Sequence, residues 1–214
     1  MAIRNRLTRK ILLTGGATAL TIGATAGVAL AVAITFSISP GGNISASAGK
    51  TTLTDVTNPS HAQLTCASST STGTLKSGHG ISGTNLGSIK TLKFNNCTGP
   101  LGLTFTVTNS AFPWILHGTA FNATTGVTTG NITGIKSHLS GPSCSADVAG
   151  ATATAKGKVK VTYTNSTHKL KVLAGGGTLH IFNVSGCAGL LSSGDATQFV
   201  GTYTVTPAQT ITSP

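Results

Sequence analysis

The sequence predicts an all-β protein, an antiparallel sandwich or barrel of about nine to eleven short strands. Thr, Gly, Ser and Ala dominate the 214 residues, and long runs of strong helix formers are missing. Thr and Val favour the half-buried surface of a strand, whereas Gly and Asn favour turns. Apolar and polar residues alternate in several segments, with turn signals between them. This combination is typical of a sandwich or a barrel.

An export leader is predicted before the β domain. Met1–Lys10 holds all the arginines of the chain, Ile11–Ile38 carries no charge, and Ala46-Ser47-Ala48 is a small-x-small pattern. A basic segment, an apolar segment and a cleavage pattern in this order are typical of a signal peptide. We therefore predict a signal peptide over residues 1–48 and a secreted, extracytoplasmic protein, with association at the cell surface as an open possibility.

The length of the uncharged run keeps two alternatives open. An apolar signal segment usually spans about 7–15 residues, and a membrane span needs about 20. The leader is therefore either cleaved or retained as an anchor, and a retained leader would be the only membrane contact. Cleavage after Ala31 or Ala33 is the other alternative.

Beyond the leader, composition predicts one domain with loose ends. Residues 49–61 are polar and predict a flexible N-terminal tail. The β domain is predicted over 62–207, with two related halves at 62–140 and 141–207. Residues 208–214 are predicted to form a C-terminal tail.

Period-two alternation places the individual strands. The clearest hairpin is expected around Asn165-Ser166. Pro113 indicates that its strand starts late or lies at a sheet edge. The predicted strands are Ala62–Cys66, Thr72–Leu75, Gly87–Cys97, Leu101–Thr108, Ala111–Ala120, Thr119–Asn122, Val127–Thr133, Asn131–Leu139, Ala151–Thr164, Thr167–Leu173, Thr178–Val184 and Gln198–Thr206.

Four cysteines lie beyond the leader, and an even number in an exported protein predicts two disulfides rather than a metal site. Three pairings are possible. A weak repeat relates Leu92–Gly99 to Phe182–Gly189, because each strand ends in a Cys-x-Gly turn and leads to an aromatic-Thr-Val-Thr strand. If each half holds its own bridge, the pairs are Cys66–Cys97 and Cys144–Cys187.

The predicted hairpin carries a concentration of positive charge. A two-residue turn at Asn165-Ser166 would place Val161 opposite Leu170 and Lys160 opposite Lys171. Like charges directly opposite one another weaken a sheet, so the cluster calls for an explanation. The predicted outer face comprises Lys156, Lys158, Lys160, Lys169 and Lys171.

Three explanations of this lysine face are open. It could bind an anionic partner such as a cell-wall polymer or lipid head groups, protect an exposed strand edge, or keep the protein soluble. A nucleic-acid partner is not expected, because no arginine follows the leader and aromatic residues are few. Base recognition relies on such bidentate and stacking side chains.

Two further hypotheses concern small molecules. Phe112 and Trp114 are candidates for an apolar ligand cleft, the alternative being a Trp packed in the core. A hydrolase would need a Ser or His beside Asp147 or Asp195, but the chain has no G-x-S-x-G motif and its histidines are scattered. We expect no catalysis, no cofactor and no metal site.

Several segments carry a resemblance to a known group. They are the leader, Cys97–Leu103, Val161–Ser166 and Tyr203–Pro207. Together they resemble uncharacterised secreted β proteins of Streptomyces-like actinobacteria, which implies a Gram-positive, extracytoplasmic setting and no particular activity. Composition and the two expected disulfides are also similar to small antibiotic-carrying apoproteins with immunoglobulin-like sandwiches, an analogy of fold alone. The sequence thus predicts a non-enzymatic binding or structural protein of the cell envelope, with the lysine face as its contact surface.

Overall fold

The computed structural model describes residues 34–214, which are almost entirely β. The only helical piece in this part of the chain is a short 3-10 turn, Pro100–Gly102, and no helix there is long and apolar enough to cross a bilayer. The strands are β1 (Thr35–Ser39), β2 (Gly42–Ala48), β3 (Thr51–Asp55), β4 (Gln63–Leu75), β5 (Gly78–Ser82), β6 (Gly87–Thr98), β7 (Thr104–Ser110), β8 (Trp114–Asn122), β9 (Val127–Ser140), β10 (Ser145–Ala149), β11 (Gly157–Thr164), β12 (Lys169–Val172), β13 (His180–Ser185), β14 (Thr197–Thr206) and β15 (Thr210–Thr212).

The strand pairings close on themselves. One ring runs β14-β2-β4-β6-β8-β9-β11-β12 and returns from β12 to β14, with every pair antiparallel. A closed ring has no edge strand, and eight strands enclose a space just wide enough for side chains or one small ligand. The all-β prediction is confirmed, and the closure identifies the architecture as a barrel.

Four strands, β4, β6, β9 and β14, are long enough to continue into a second ring. There they pair with other, shorter strands, and the order around this ring is β14-β3-β4-β6-β7-β9-β10-β13. A bridge between His180 and Ala196, one residue before β14, closes this ring. The barrel is therefore elongated, with four continuous strands and four positions at which two shorter strands follow one another.

A small sheet covers one end of the barrel. Its order is β15-β1-β5, and we call these three strands the cap. Phe36, Ile38 and Ile211 are buried there against Tyr163 and Val205 of the barrel. The opposite end, formed by the loops 56–62, 99–103, 141–144 and 186–196, is here called the mouth.

The cap and β2 correct the predicted N-terminal boundaries. β2 lies between β14 and β4, and Phe36 of β1 is 0% exposed, so cleavage after Ala48 would remove a barrel strand and part of the cap. The boundary at Ala48 is therefore wrong for this fold, whereas a cut after Ala31 or Ala33 leaves both strands intact. The rest of the leader, residues 1–33, lies outside the described residues and stays a prediction.

Both predicted tails are part of the fold, residues 49–61 in the barrel and residues 208–214 in the cap. Residues 49–61 contain β3, where Thr51 is 1% exposed. Residues 208–214 contain β15, and Gln209 beside it is 0% exposed. The polar composition of these segments predicted tails. In the fold, however, their backbone groups complete the hydrogen-bond ladders of the sheets.

The disulfide pairing is confirmed. Cys66 and Cys97 face each other across β4 and β6, with an S–S distance of 2.04 Å. Cys144 and Cys187 join the loop before β10 to the loop after β13, with an S–S distance of 2.00 Å. Each predicted half holds one bridge, but strands of both halves pair in the same barrel.

Three strand assignments need correction. Leu101–Leu103 belongs to the 3-10 turn and its exit, so β7 begins only at Thr104. Residues 151–156 form a loop before β11, and β10 lies in a segment to which no strand was assigned. β8 begins at Trp114, directly after Pro113, so the first of the two predicted alternatives, a late start, is confirmed; the strand pairs with both β6 and β9.

Candidate ligand-binding lumen

The barrel encloses an apolar lumen of about 150 Å³. Inward-facing side chains from every wall line it, and none of the lining residues is Lys, Arg, Asp or Glu. Burying an unpaired charge is costly, so such a space suits uncharged molecules. Among the lining residues are Leu64, Phe94, Trp114, Ile132, Val159 and Phe199.

The lumen stays open because one wall has small inward side chains. Ala46 on β2 and Ser69, Ser71 and Gly73 on β4 alternate with outward-facing neighbours. Larger residues on the facing walls do not fill the space that these leave, and Phe94 remains only half-buried although it faces inward. Alternation along the strands points these side chains into the barrel. Because they are small, they leave a cavity at this wall.

Trp114 lies on the lumen wall, as the ligand-cleft hypothesis requires. The residue is 4% exposed, and its Nε1 donates a hydrogen bond to the Ser110 carbonyl at 2.8 Å. The Phe112 ring stacks on the indole with centroids 4.7 Å apart. Phe112 itself does not line the lumen, so it fixes the indole rather than meeting a ligand.

The polar groups of the lumen are hydroxyl groups, the Asn109 amide and the His117 ring. Tyr203 accepts a hydrogen bond from the Ser69 hydroxyl at 2.9 Å, and burial raises the pKa of Tyr203 to about 12. Ser137 donates to Asn109 at 2.6 Å, and the Asn109 amide in turn donates to a backbone carbonyl. The phenol is therefore neutral at physiological pH, and the lumen offers hydrogen bonds without charge.

The mouth holds a second apolar space of about 240 Å³. Leu53, Leu64 and Leu139 line both this space and the lumen, so the two adjoin. Leu101 on its rim is 92% exposed and has a φ of 58°, a left-handed conformation that is uncommon for a non-glycine residue. An apolar side chain is thus held in solvent at the outer end of the cavity.

Two buried carboxyl groups stand beside the mouth. Asp55 is 2% exposed and accepts hydrogen bonds from the backbone N–H groups of Thr57 and Asn58, while its Oδ2 has no partner. Asp195 is also buried and accepts a bond from the Ser192 N–H at 2.6 Å. Burial, together with the neighbouring Asp195 carboxyl, raises the pKa of Asp55. The pair therefore favours a protonated Asp55 more than an exposed Asp would.

The predicted lysine face is present, but its register differs. Val161 pairs with Val172 rather than Leu170, because the turn between β11 and β12 is two residues longer than predicted. Lys171 consequently faces Thr162, and the predicted Lys160–Lys171 pair does not form. A shift of two residues preserves which side chains point outward.

Four of the five lysines share the outer surface of β11 and β12, and the fifth precedes β11. β11 pairs with β9 and β12, and β12 pairs with β11 and β14, so neither strand is an edge. The explanation by edge protection is therefore wrong. The only side-chain ion pair among the described residues joins His138 to Asp147, so no carboxylate neutralises these lysines there. The face consists of Lys158, Lys160, Lys169 and Lys171, with Lys156 beside it.

The structure also places a His beside Asp147. His138 Nδ1 lies 2.6 Å from Asp147 Oδ1, and Asn183 donates to the other carboxylate oxygen at 2.7 Å. The Asn183 bond, followed by the His138 bond, lowers the pKa of Asp147. These residues line neither the lumen nor the space at the mouth. Within residues 34–214, no three His, Cys, Asp or Glu side chains lie close enough together to bind a metal ion.

Comparison with protein-family models, with curated proteins and with solved structures finds no match to this chain. Sequence reasoning found Trp114 but missed the lumen and the mouth. The available signal was the alternation of small residues along β4, which can be seen in the sequence. It could not be interpreted as a cavity because the strands that face β4 were not known.

Proposed function

We propose that this protein is a non-enzymatic carrier of a small, uncharged, apolar molecule, which it binds in the barrel lumen beside Trp114. The observation that supports this is a closed barrel around an apolar cavity with no charged lining residue. A cavity that is merely a packing defect is destabilising, whereas small-ligand sites are concave, largely apolar and preformed.

The size of the cavity limits the ligand. An engineered apolar cavity of about 150 Å³ stays dry and binds benzene, so the lumen alone accepts a molecule with about one ring. Drug-sized ligands need about 300–1,000 Å³, and the lumen and mouth together reach the lower part of this range. The ligand is therefore small, or is elongated along the barrel axis.

The proposed setting is extracytoplasmic. The two disulfides fit an oxidising compartment, and the basic-then-apolar leader supports export. With β1 and β2 inside the fold, we propose a leader that ends near Ala31 or Ala33. Secretion into an actinobacterial envelope rests on the sequence resemblance alone.

Calorimetric titration with benzene tests the lumen. Ala46→Phe adds a ring to the inward, lumen-lining side of β2, and benzene binding should be lost. Ser47→Phe, on the outward side of the same strand, should leave it unchanged and serves as the matched control. Far-ultraviolet circular dichroism checks that each variant folds. Equal binding by both variants, or no binding by the wild type, contradicts the carrier proposal.

A second candidate function is contact with an anionic cell-wall polymer or anionic lipid head groups through the lysine face. It is favoured because edge protection no longer explains lysines on β11 and β12. Changing the four strand lysines to Gln should weaken binding to phosphatidylglycerol vesicles or teichoic acid, and rising salt should weaken wild-type binding similarly. A variant with the same charge loss elsewhere is the control, with Gln at Lys50, Lys76, Lys90 and Lys93. If both variants lose binding equally, overall charge and not this face is responsible.

A further inference from the structure

The two ends of the lumen differ in how they are closed. At the cap, Tyr163 donates to the Gln209 carbonyl at 2.8 Å, and Gln209 accepts from the Gly41 N–H at 2.9 Å. The Asn165 side chain exchanges two hydrogen bonds with the backbone of Ile211, at 2.8 and 3.0 Å. Opening this end would break a buried polar network and expose the apolar residues beneath the cap.

The mouth has no comparable cover. The two most exposed large apolar side chains in the described part are Leu101, 92% exposed, and Val56, 43% exposed, and both lie on mouth loops. Leu190 and Leu191, on the mouth loop 186–196, are only half-buried and line the same space. Apolar side chains therefore continue from the lumen to the solvent at this end.

The mouth leucines follow the same Cys-x-Gly turn in the two halves of the internal repeat. Leu101 is the second residue after Cys97-Thr98-Gly99, and Leu190 and Leu191 are the first and second residues after Cys187-Ala188-Gly189. Both cysteines are buried in disulfides, to β4 and to the loop before β10. Each loop is thus fixed at its base while its tip carries an apolar side chain at the rim.

The wall below these tips is tightly packed. The Phe105 ring lies against Gly99 and Gly141, where an added Cβ would come within 2.5 and 2.8 Å of it. Phe105 lines the mouth and is 9% exposed. This part of the wall is therefore closely packed, whereas the Leu101 side chain above it projects into solvent.

From these observations we propose that the mouth is the entry port of the lumen and an outer subsite for the ligand, with Leu101 and Leu190 as its rim. The proposal rests on the carrier function. It extends the ligand class to elongated, uncharged molecules whose outer part lies against the mouth leucines. Asp55 is the only charged residue lining the mouth, and its carboxyl group is buried, so the mouth offers no cation for an anionic head group.

Selective labelling tests the port. All four cysteines are bonded, so a single introduced thiol can be labelled with a bulky maleimide. Bromobenzene is the probe, since its bromine quenches the single Trp in stopped-flow fluorescence. Label on Leu101→Cys should slow both association and dissociation about tenfold and leave Kd nearly unchanged, because an obstructed port changes rates and not the bound state. Label on Leu190→Cys should act in the same direction.

Label on Thr210→Cys, an exposed position of the cap, is the matched control and should change neither rate. If the cap label slows exchange and the mouth labels do not, the port lies at the other end and the proposal is overturned. The same holds if no label changes the rates. If unlabelled protein shows no quenching, the carrier function itself fails, and the port fails with it. If the mouth labels change Kd without changing association, the leucines contact the ligand but do not form its entrance.

Discussion

The capped end and the mouth close the same barrel by different means. At the cap, a separate three-stranded sheet buries Phe36, Ile38 and Ile211 and joins the barrel through side-chain hydrogen bonds. At the mouth, disulfides hold short loops on which Leu101 is exposed and Leu190 is half-buried. A protein that only needed stability could seal both ends with apolar packing. Under the proposed carrier function, the cap is the closed end and the mouth is the end that admits the ligand.

The largest expected difference between the two ends is in stability. Phe36→Ala removes a fully buried ring from the cap and should lower the free energy of unfolding by about 3–5 kcal/mol. Leu101→Ala removes an exposed side chain from the mouth and should change it by at most about 0.5 kcal/mol. Urea denaturation followed by circular dichroism measures both. Comparable losses would mean that Leu101 is packed and that the mouth is closed in solution.

The two disulfides at the mouth are expected to stabilise the whole fold by constraining the unfolded chain. Replacing Cys66 and Cys97 by Ala should cost about 4 kcal/mol, because the bridge closes a loop across a sequence separation of 31 residues. Replacing Cys144 and Cys187 should cost a similar amount, since a separation of 43 residues adds only about 0.3 kcal/mol. Guanidinium unfolding of each double variant tests this. A cost near zero for either bridge would contradict this constraint on the unfolded chain.

The carboxyl groups should respond oppositely to pH. Because the pKa of Asp55 is raised by folding, its stabilising contribution is complete below the unfolded pKa and is lost as pH rises through the folded pKa. At pH 7, Asp55→Asn should therefore raise the free energy of unfolding by about 1 kcal/mol, since Asn keeps the backbone hydrogen bonds without a buried charge. The difference in the free energy of unfolding between Asp55→Asn and the wild type should shrink as the pH falls toward 4.

Asp147 supplies the contrasting case on the outer surface. Its pKa is lowered, so its contribution is present above the unfolded pKa and is lost as pH falls through the folded pKa. Asp147→Asn should lower stability at pH 7 by less than about 1 kcal/mol, because the His138 pair is half-exposed. Denaturation of both variants from pH 4 to pH 7 compares them directly. A loss of stability for Asp55→Asn at pH 7 would contradict the assignment of a buried, destabilised carboxylate.

The fold class and the disulfides could be predicted, because they depend on local pattern and on chain chemistry. Period-two alternation identified most strands, and the Cys-x-Gly repeat identified both bridges. The hairpin register failed by two residues, since alternation fixes the face of each side chain but not the length of the turn. The outward face of the strand lysines was therefore right while their opposite partners were wrong.

Other features could not be found locally. β1 and β2 look like the end of an apolar leader, because a signal segment and a buried strand have the same composition. The lumen depends on which walls face each other, and pairs such as Val161 and Gly130 lie far apart in sequence. The mouth depends on the absence of a cover over Leu101, which only the three-dimensional arrangement reveals.

The most direct test of the carrier account is the environment of Trp114. The residue is 4% exposed and lines the lumen, so an aqueous quencher such as iodide should have little effect on its fluorescence. Bromobenzene, of the size that the lumen accepts, should quench the fluorescence saturably, and added benzene should relieve the quenching by competition. Equal and unsaturable quenching by both reagents, or none by bromobenzene at its solubility limit, would show that the lumen binds no such molecule and would contradict the account.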